Sequence, residues 1–220
     1  MTSDALHREL PGGLVLSTTS EEHVERLEAL QRVVFPTLAE DELLRANQYR
    51  KHLELFAEGQ FVVVDGEDVV GMTSTLRLPF DPEHPDHTFA EACAEGWFTT
   101  HDPEGQWLYG ADIGVRPDYR GKGLARALYA ARHETVRRLG LKGQLTVGML
   151  SGYGAVSHDM TADGYYQQLL SGERNDPTIS AQRKIGFEPH GLVAEYVNDP
   201  VCANYGVLLI LSAETDVPWP

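Results

Sequence analysis

Cysteine is scarce in this chain of 220 residues: it occurs twice, at Cys93 and Cys202. The two thiols stand in unrelated contexts and form no close pair. A disulfide framework needs several paired cysteines, and a Cys-x-x-Cys redox site needs two that nearly adjoin. The cysteine pattern therefore indicates neither kind of site, and we interpret both thiols as buried or incidental.

Long apolar runs are missing as well. No stretch approaches the roughly 18 apolar residues that are typical of a membrane span. The N-terminal residues 1–9 lack the apolar core of a signal peptide. We therefore expect a soluble, cytoplasmic protein without a membrane partner.

Basic residues are also scarce. The chain has 18 Lys and Arg but 33 Asp and Glu, which gives a formal net charge of -15. General nucleic-acid binding needs an extended basic surface that neutralises phosphates. The charge balance argues against a nucleic-acid partner. It favours a small cationic partner instead.

The length and a hydrophobic fraction of 42% allow one full core. We predict a single domain over residues 1–220, with inserted loops at about 79–106 and 151–175. Loops carried on a rigid scaffold commonly set specificity, so both are expected to shape access to a site.

The rest of the chain alternates between helical and strand-like patterns. Apolar spacings of three and four, with end signals, predict helices over about 19–34, 40–58, 124–139 and 176–186, and shorter ones near 89–94 and 162–170. Strand patterns cover residues 14–16, 61–64, 69–78, 107–115, 145–150, 191–196 and 205–211. This order predicts an α+β protein, a mixed sheet with helices packed on it.

The most informative segment is a glycine turn, where residues 115–125 read Val-Arg-Pro-Asp-Tyr-Arg-Gly-Lys-Gly-Leu-Ala. Gly121 and Gly123 can adopt positive φ and let a ligand approach the backbone closely. The helical pattern begins directly after them, at Leu124. The first N–H groups of a helix are unpaired and carry the positive end of its dipole. The turn is therefore predicted to bind phosphate.

Local charge reinforces this prediction. Residues 116–138 contain seven basic residues against two acids, so the segment is +5 in an acidic chain. Arg120, Lys122 and Arg126 lie at the turn itself. The arginines from position 132 onward fit a solvated helix face, which is the usual place for a charge run.

Other motifs fit less well. The P-loop pattern Gly-x-x-x-x-Gly-Lys-Ser/Thr is absent, because leucine follows Gly123. His84, His87, Cys93 and His101 lie within 18 residues, but their spacing matches no familiar zinc pattern. We interpret these four as part of an irregular loop and predict no metal site.

The strand, turn and helix together resemble the GNAT superfamily of acyl-CoA-dependent N-acetyltransferases. Residues 120–125 match its Arg/Gln-x-x-Gly-x-Gly/Ala pyrophosphate loop, and a helix closed by Gly186-Phe187 stands where that superfamily has its second cofactor-side helix. The resemblance spans about residues 14–211. It implies a central, mostly antiparallel mixed sheet of six to seven strands with a V-shaped splay and helices on both faces.

The resemblance also implies a site and a reaction. Acetyl-CoA would be the co-substrate, lying where the strand that ends at Val115 and the strand 145–150 splay apart. Its acetyl group would pass directly to a primary amine of a small molecule or peptide in a ternary complex. The backbone of Ile113, Gly114 and Val115 would pair with the pantetheine arm and polarise the thioester carbonyl. The residues implied to hold the pyrophosphate are Arg120, Gly121, Lys122, Gly123, Leu124, Ala125 and Arg126.

The catalytic residues are marked less clearly. Asp112 is a candidate base, although alternation along a strand could aim it away from the cleft. Many superfamily members have tyrosine four residues before the closing Gly-Phe, but this chain has Gln182 there. Tyr153 is then a candidate acid, with Tyr165 and Tyr166 as the other nearby phenols and water as a further proton source.

These departures leave a second function open, a non-catalytic acyl-CoA-binding or sensing module. The identity of the acceptor and the acyl chain length also stay open. The sequence does not choose between a monomer and a homodimer.

Replacing Gly123 by valine is expected to abolish acetyl-CoA binding. A β-branched side chain would block the approach of the pyrophosphate and disfavour positive φ. Isothermal titration calorimetry measures the loss, with Gly140→Val at the far end of the same helix as control. Retained affinity in the Gly123 variant would count against this site.

Overall fold

The computed structural model describes residues 6–220 and contains one eight-stranded sheet, in the order β1-β2-β3-β4-β5-β6-β8-β7. Each neighbouring pair is antiparallel except β5 and β6, which are parallel. The strands are β1 (His7–Leu10), β2 (Leu14–Thr18), β3 (Phe61–Asp65), β4 (Asp68–Leu78), β5 (Trp107–Val115), β6 (Gly143–Met149), β7 (Glu188–Val193) and β8 (Gly206–Ser212). The predicted mixed, mostly antiparallel sheet is confirmed.

Helices cover both faces of this sheet, as expected. Neighbouring strand residues point to opposite faces, and Val62 packs in the core under α1 whereas Val63 packs in the core under α4. The helices are α1 (Val24–Val34), α2 (Ala46–Phe56), α3 (Phe89–Cys93), α4 (Leu124–Arg138), α5 (Ala162–Ser171) and α6 (Ile179–Arg183).

Helix α4 begins directly after the glycine turn. Gly123 precedes it in the left-handed region, with φ of 82°, a conformation that suits glycine because it has no Cβ. Leu124, Leu128 and Ala131 recur on one side of the helix and are buried against Val63 and Val70. This packing fixes the position of the turn relative to the sheet.

The sheet has eight strands rather than the six or seven expected. The additional strand, β1, pairs with β2 through a turn in which Gly12 and Gly13 have positive φ. Leu10 is the only buried residue of β1, so the strand leaves little apolar pattern to find. Strand β7 also lies earlier than predicted, since it ends at Val193 and Glu195 adopts positive φ.

Two predicted helices are shorter than their sequence patterns. Helix α2 begins at Ala46 rather than near residue 40. The Glu28 carboxylate accepts the Ala46 N–H at this helix start. Helix α6 has five residues. The Asp176 carboxylate accepts the N–H groups of Thr178 and Ile179, so the predicted capping role is kept one turn ahead of the helix.

The two predicted inserted loops, here called the excursions 79–106 and 151–175, both form hydrogen bonds to other parts of the fold. In residues 79–106, α3 starts at a capping box formed by Thr88 and Glu91, and the Phe89 N–H bonds to the Tyr196 carbonyl at 2.9 Å. In residues 151–175, Tyr165 of α5 donates to Asp176 at 3.0 Å. Both segments are therefore tied to the body of the fold.

None of the helices in the described residues has the length and hydropathy needed to cross a membrane.

Truncating Leu128 to alanine is expected to lower the free energy of unfolding by about 2–5 kcal/mol, because this side chain is 0% exposed. Leu170→Ala, on a side chain that is 40% exposed, is the matched control and should cost less than about 1 kcal/mol. Urea unfolding followed by circular dichroism measures both. Equal losses would contradict the assigned packing of α4.

Candidate functional site

A cleft opens where β5 and β6 separate. The two strands pair over only four residues, from Trp107↔Gly143 to Gly110↔Thr146. Beyond that point β5 continues along β4 to Val115, and β6 continues along β8 to Met149. The backbone of residues 111–115 therefore lacks a partner strand on one side and lines a cleft of about 840 Å³.

A β-bulge at Ala111 decides which β5 side chains face this cleft. Ser74 pairs with Asp112 and Thr75 with Gly110, so Ala111 has no partner on β4. Strict alternation would place Tyr109 and Asp112, three residues apart, on opposite faces. The bulge adds one residue and returns Asp112 to the face covered by α1 and α2.

The amino end of α4 forms an anion site at one end of the cleft. Gly121 and Gly123 both have positive φ, 77° and 82°. Within residues 6–220, the backbone N–H groups of positions 121–126 have no acceptor in the protein. Arg120 and Arg126 also line the cleft, whereas Lys122 lies over the Tyr119 ring at 4.3 Å. This arrangement fits a pyrophosphate.

Asp112 lies at the inner end of the cleft in a hydrogen-bonded setting. Its Oδ2 accepts from Gln31 Nε2 at 2.8 Å and from the Tyr49 hydroxyl at 3.3 Å. Its Oδ1 accepts from the Ser74 N–H at 2.5 Å. Burial raises the pKa of Asp112, while Arg132 and these donors oppose the rise. The carboxylate is thus held in place and made more basic than an exposed aspartate.

Arg132 is buried, contrary to the prediction of a solvated helix face. Its guanidinium donates to the Asp112 carbonyl and lies over the Tyr129 ring at 5.3 Å from the centroid. A Cβ at Gly110 would come within 2.1 Å of it, so glycine is needed there. Arg137 and Arg138 are exposed as expected.

The tyrosine missing from α6 has a counterpart on α4. Gln182 lines the cleft, and its amide donates to the Tyr129 hydroxyl at 2.9 Å. Tyr129 also lines the cleft, and its own O–H proton is left free by this bond. Burial raises the pKa of Tyr129, so the phenol stays protonated.

Tyr153 is not among the residues that line the cleft. Its hydroxyl donates to the Met160 carbonyl at 3.0 Å, and its ring packs against Tyr165 and Tyr205. Tyr165 donates to Asp176 and likewise does not line the cleft. Their positions give no support to the predicted role of Tyr153 as the acid.

The end of the cleft opposite the glycine turn is acidic and partly apolar. Glu42 and Asp199 line it, together with Phe35, Phe89 and Tyr196. Burial raises the pKa of Glu42, while the Asn198 N–H donates to its carboxylate. No Lys or Arg other than Arg120 and Arg126 lines the described cleft. The two ends therefore carry opposite charge.

The four residues considered for a metal are dispersed. His84 bonds to Asp81, His87 to Tyr109 and the Pro85 carbonyl, and His101 to the Arg77 N–H. In the described part of the chain, no group of three or more His, Cys, Asp or Glu residues could hold a metal ion.

Sequence reasoning missed several residues that the fold brings to the cleft: Gln31, Tyr49, Tyr129 and Tyr196. The sequence offered one signal for Tyr129. Gln182 stands where related proteins have tyrosine, and because glutamine cannot act as an acid, a phenol had to come from another part of the chain. The others come from segments with ordinary core patterns.

Comparison with known proteins shows the family to which this sequence is related. Residues 24–157 match the family model described as acetyltransferase (GNAT) family. The chain is 32% identical over 197 residues to an uncharacterized N-acetyltransferase, YkwB, of Bacillus subtilis (strain 168), which covers 89% of this chain and 87% of that protein.

Two solved structures share the fold at 18% identity. The loading GNATL domain of CurA from Lyngbya majuscula superposes with a TM-score of 0.76, over 91% of this chain and 98% of that one. The GphF GNAT-like decarboxylase in complex with isobutyryl-CoA gives 0.73, over 90% and 99%.

Replacing Tyr49 by phenylalanine is expected to raise the pKa of Asp112 further, because the Tyr49 hydroxyl bonds to the charged carboxylate. The change is measured by following the side-chain carboxyl carbon of Asp112 by NMR across pH. Tyr205→Phe, outside the cleft lining, is the control. An unchanged Asp112 titration in the Tyr49 variant would contradict the contact.

Proposed function

Because this chain belongs to the acetyltransferase (GNAT) family, we propose that it transfers the acetyl group of acetyl-CoA to a primary amine held in the cleft. The observation that carries this proposal is a single continuous cleft, with unpaired N–H groups at one end and the half-buried Asp112 carboxylate further in. Acetyl-CoA is its co-substrate, and the acceptor amine is the part of the reaction that we propose here.

The proposed position of acetyl-CoA in the cleft rests on backbone groups that have no partner in the protein. We assign the pyrophosphate to residues 120–126, where glycines permit close approach and the helix dipole favours negative charge. Residues 113–115 present backbone groups that have no strand partner on the cleft side. These groups suit the amides of the pantetheine arm, and an N–H there would stabilise the oxyanion.

Asp112 is assigned as the base that removes a proton from the amine nitrogen as it bonds to the acetyl carbon. Its position in the cleft lining and its raised pKa both suit proton uptake. Tyr129 is assigned as the acid that protonates the departing sulfur. Gln182 donates to the Tyr129 oxygen, so the Tyr129 O–H proton stays available for the sulfur.

The acceptor is proposed to be a cation with an apolar portion. Glu42 and Asp199 supply negative charge at the far end of the cleft, while Phe35 and Phe89 supply apolar contact. Opposite charges at the two ends would keep the cofactor phosphates and the amine from exchanging places. A small amine or the amine of a peptide meets these requirements.

The test is release of free CoA thiol from acetyl-CoA in the presence of a panel of primary amines and peptides. The wild-type protein is expected to turn over at least one cationic amine. Asp112→Ala and Tyr129→Phe are each expected to lower kcat by about 100-fold or more, with acetyl-CoA affinity retained. Thermal shift with acetyl-CoA reports binding separately.

Two outcomes would refute parts of this proposal. If acetyl-CoA stabilises the protein but no amine releases thiol above background, the chain is an acyl-CoA-binding module instead. If acetyl-CoA gives no thermal shift, neither reading holds.

A further inference from the structure

Three side chains form a hydrogen-bonded chain that leads out of the cleft. Tyr196 lines the cleft, and its hydroxyl lies 3.0 Å from the Tyr109 hydroxyl. The Tyr109 hydroxyl lies 2.8 Å from Nε2 of His87. His87 belongs to the excursion 79–106 and is half-buried. The series of hydrogen bonds therefore runs from the cleft to a residue that is partly exposed to solvent.

The direction of these bonds follows from the other nitrogen of His87. Nδ1 lies 2.6 Å from the Pro85 carbonyl, which can only accept, so Nδ1 carries a proton. In the neutral ring Nε2 is then an acceptor, and Tyr109 donates to it. The Tyr109 oxygen in turn accepts from Tyr196. Both bonds between these side chains, from Tyr196 to Tyr109 and from Tyr109 to His87, are therefore donated in the direction from the cleft towards His87.

Packing holds the chain in this geometry. The His87 ring makes edge contacts with Tyr109 and Tyr196 at centroid distances of 5.6 and 5.7 Å, and with Phe80 at 5.1 Å. Tyr109 is 0% exposed and does not line the cleft. Within the described residues its hydroxyl bonds only to His87 and Tyr196, so the fold fixes these two contacts.

The three groups differ in which of them can hold charge. Burial raises the pKa of both phenols well above the usual value, so neither is a resting anion. Burial lowers the pKa of His87, which leaves it neutral and able to take a proton. The acids that face His87 are Asp86 and Glu91 on its own segment, and they favour the charged ring. Tyr109 and Tyr196 face it from the sheet and from the segment after β7, while Cys93, Glu42 and Asp112 lie around the phenols.

We propose that Tyr196, Tyr109 and His87 form a proton relay that converts the bound ammonium form of the acceptor into the reactive amine. The N–H bond of the ammonium breaks, its electron pair stays on nitrogen, and the proton bonds to the Tyr196 oxygen. The former Tyr196 proton moves to Tyr109, and the Tyr109 proton moves to Nε2 of His87. The imidazolium then releases its proton to solvent.

This role complements that of Asp112 and rests on the proposed function. An ammonium acceptor loses two protons from nitrogen, one before attack and one after it. Asp112 already accepts three hydrogen bonds and is assigned to the second proton. The relay removes the first and exports it from the cleft.

The experiment compares two acceptors with His87→Gln and Tyr109→Phe. The first acceptor is the best primary alkylamine of the panel, which is an ammonium at pH 7. The second is its aminooxy isostere, which is neutral at that pH. Both variants are expected to lose about 100-fold in kcat with the alkylamine at pH 7 and to keep wild-type kcat with the isostere. The loss in His87→Gln should shrink as pH rises, because solvent then supplies free amine.

His84→Gln, in the same excursion, is the matched control and should leave both acceptors unaffected. Equal losses with both acceptors would indicate a structural role and overturn the relay, as would wild-type alkylamine turnover in the variants. If Tyr109→Phe does not fold, His87→Gln decides alone, since the glutamine amide oxygen can still accept from Tyr109 but cannot take up the proton. Absence of turnover by the wild-type protein would instead overturn the proposed function itself.

Discussion

The separation of β5 from β6 after Gly110 is the constraint on which the rest of this structure depends. A strand in a sheet can pair on both sides. Beyond Gly110, however, β5 stays paired with β4 while β6 stays paired with β8, so β5 and β6 diverge. The divergence leaves backbone groups unpaired, which would be costly in a closed core. Here they line the cleft, where a bound ligand can satisfy them. The bulge at Ala111 sits at the same point and turns Asp112 into the space that opens.

Charge is then sorted along the cleft by the elements that border it. The amino end of α4 brings unpaired N–H groups and Arg120, whereas the opposite end brings Glu42 and Asp199. Although the chain has a formal net charge of -15, this end of the cleft is cationic. There the helix dipole and the side-chain charges act in the same direction.

The segment 79–106 gains its proposed role from its contacts with the rest of the fold. Its capping box at Thr88 starts α3, and the bond from Phe89 to Tyr196 holds the segment against the cleft wall. That docking places His87 against two buried phenols, Tyr109 and Tyr196, which belong to distant parts of the chain. A segment that reads as an irregular loop thereby becomes part of the path by which a proton can leave.

The sequence by itself determined the anion site, because a glycine turn followed by a helix is local: the backbone freedom of Gly121 and Gly123 and the start of α4 depend on neighbouring residues. Most strands and helices were predictable for the same reason, except polar β1 and the ends of α2 and α6. Only the tertiary structure decided the orientation of Asp112, since a one-residue bulge reverses strand alternation. It also decided the pairing of Gln182 with Tyr129 and the His87 relay, because these contacts join segments far apart in the chain, which no local pattern records.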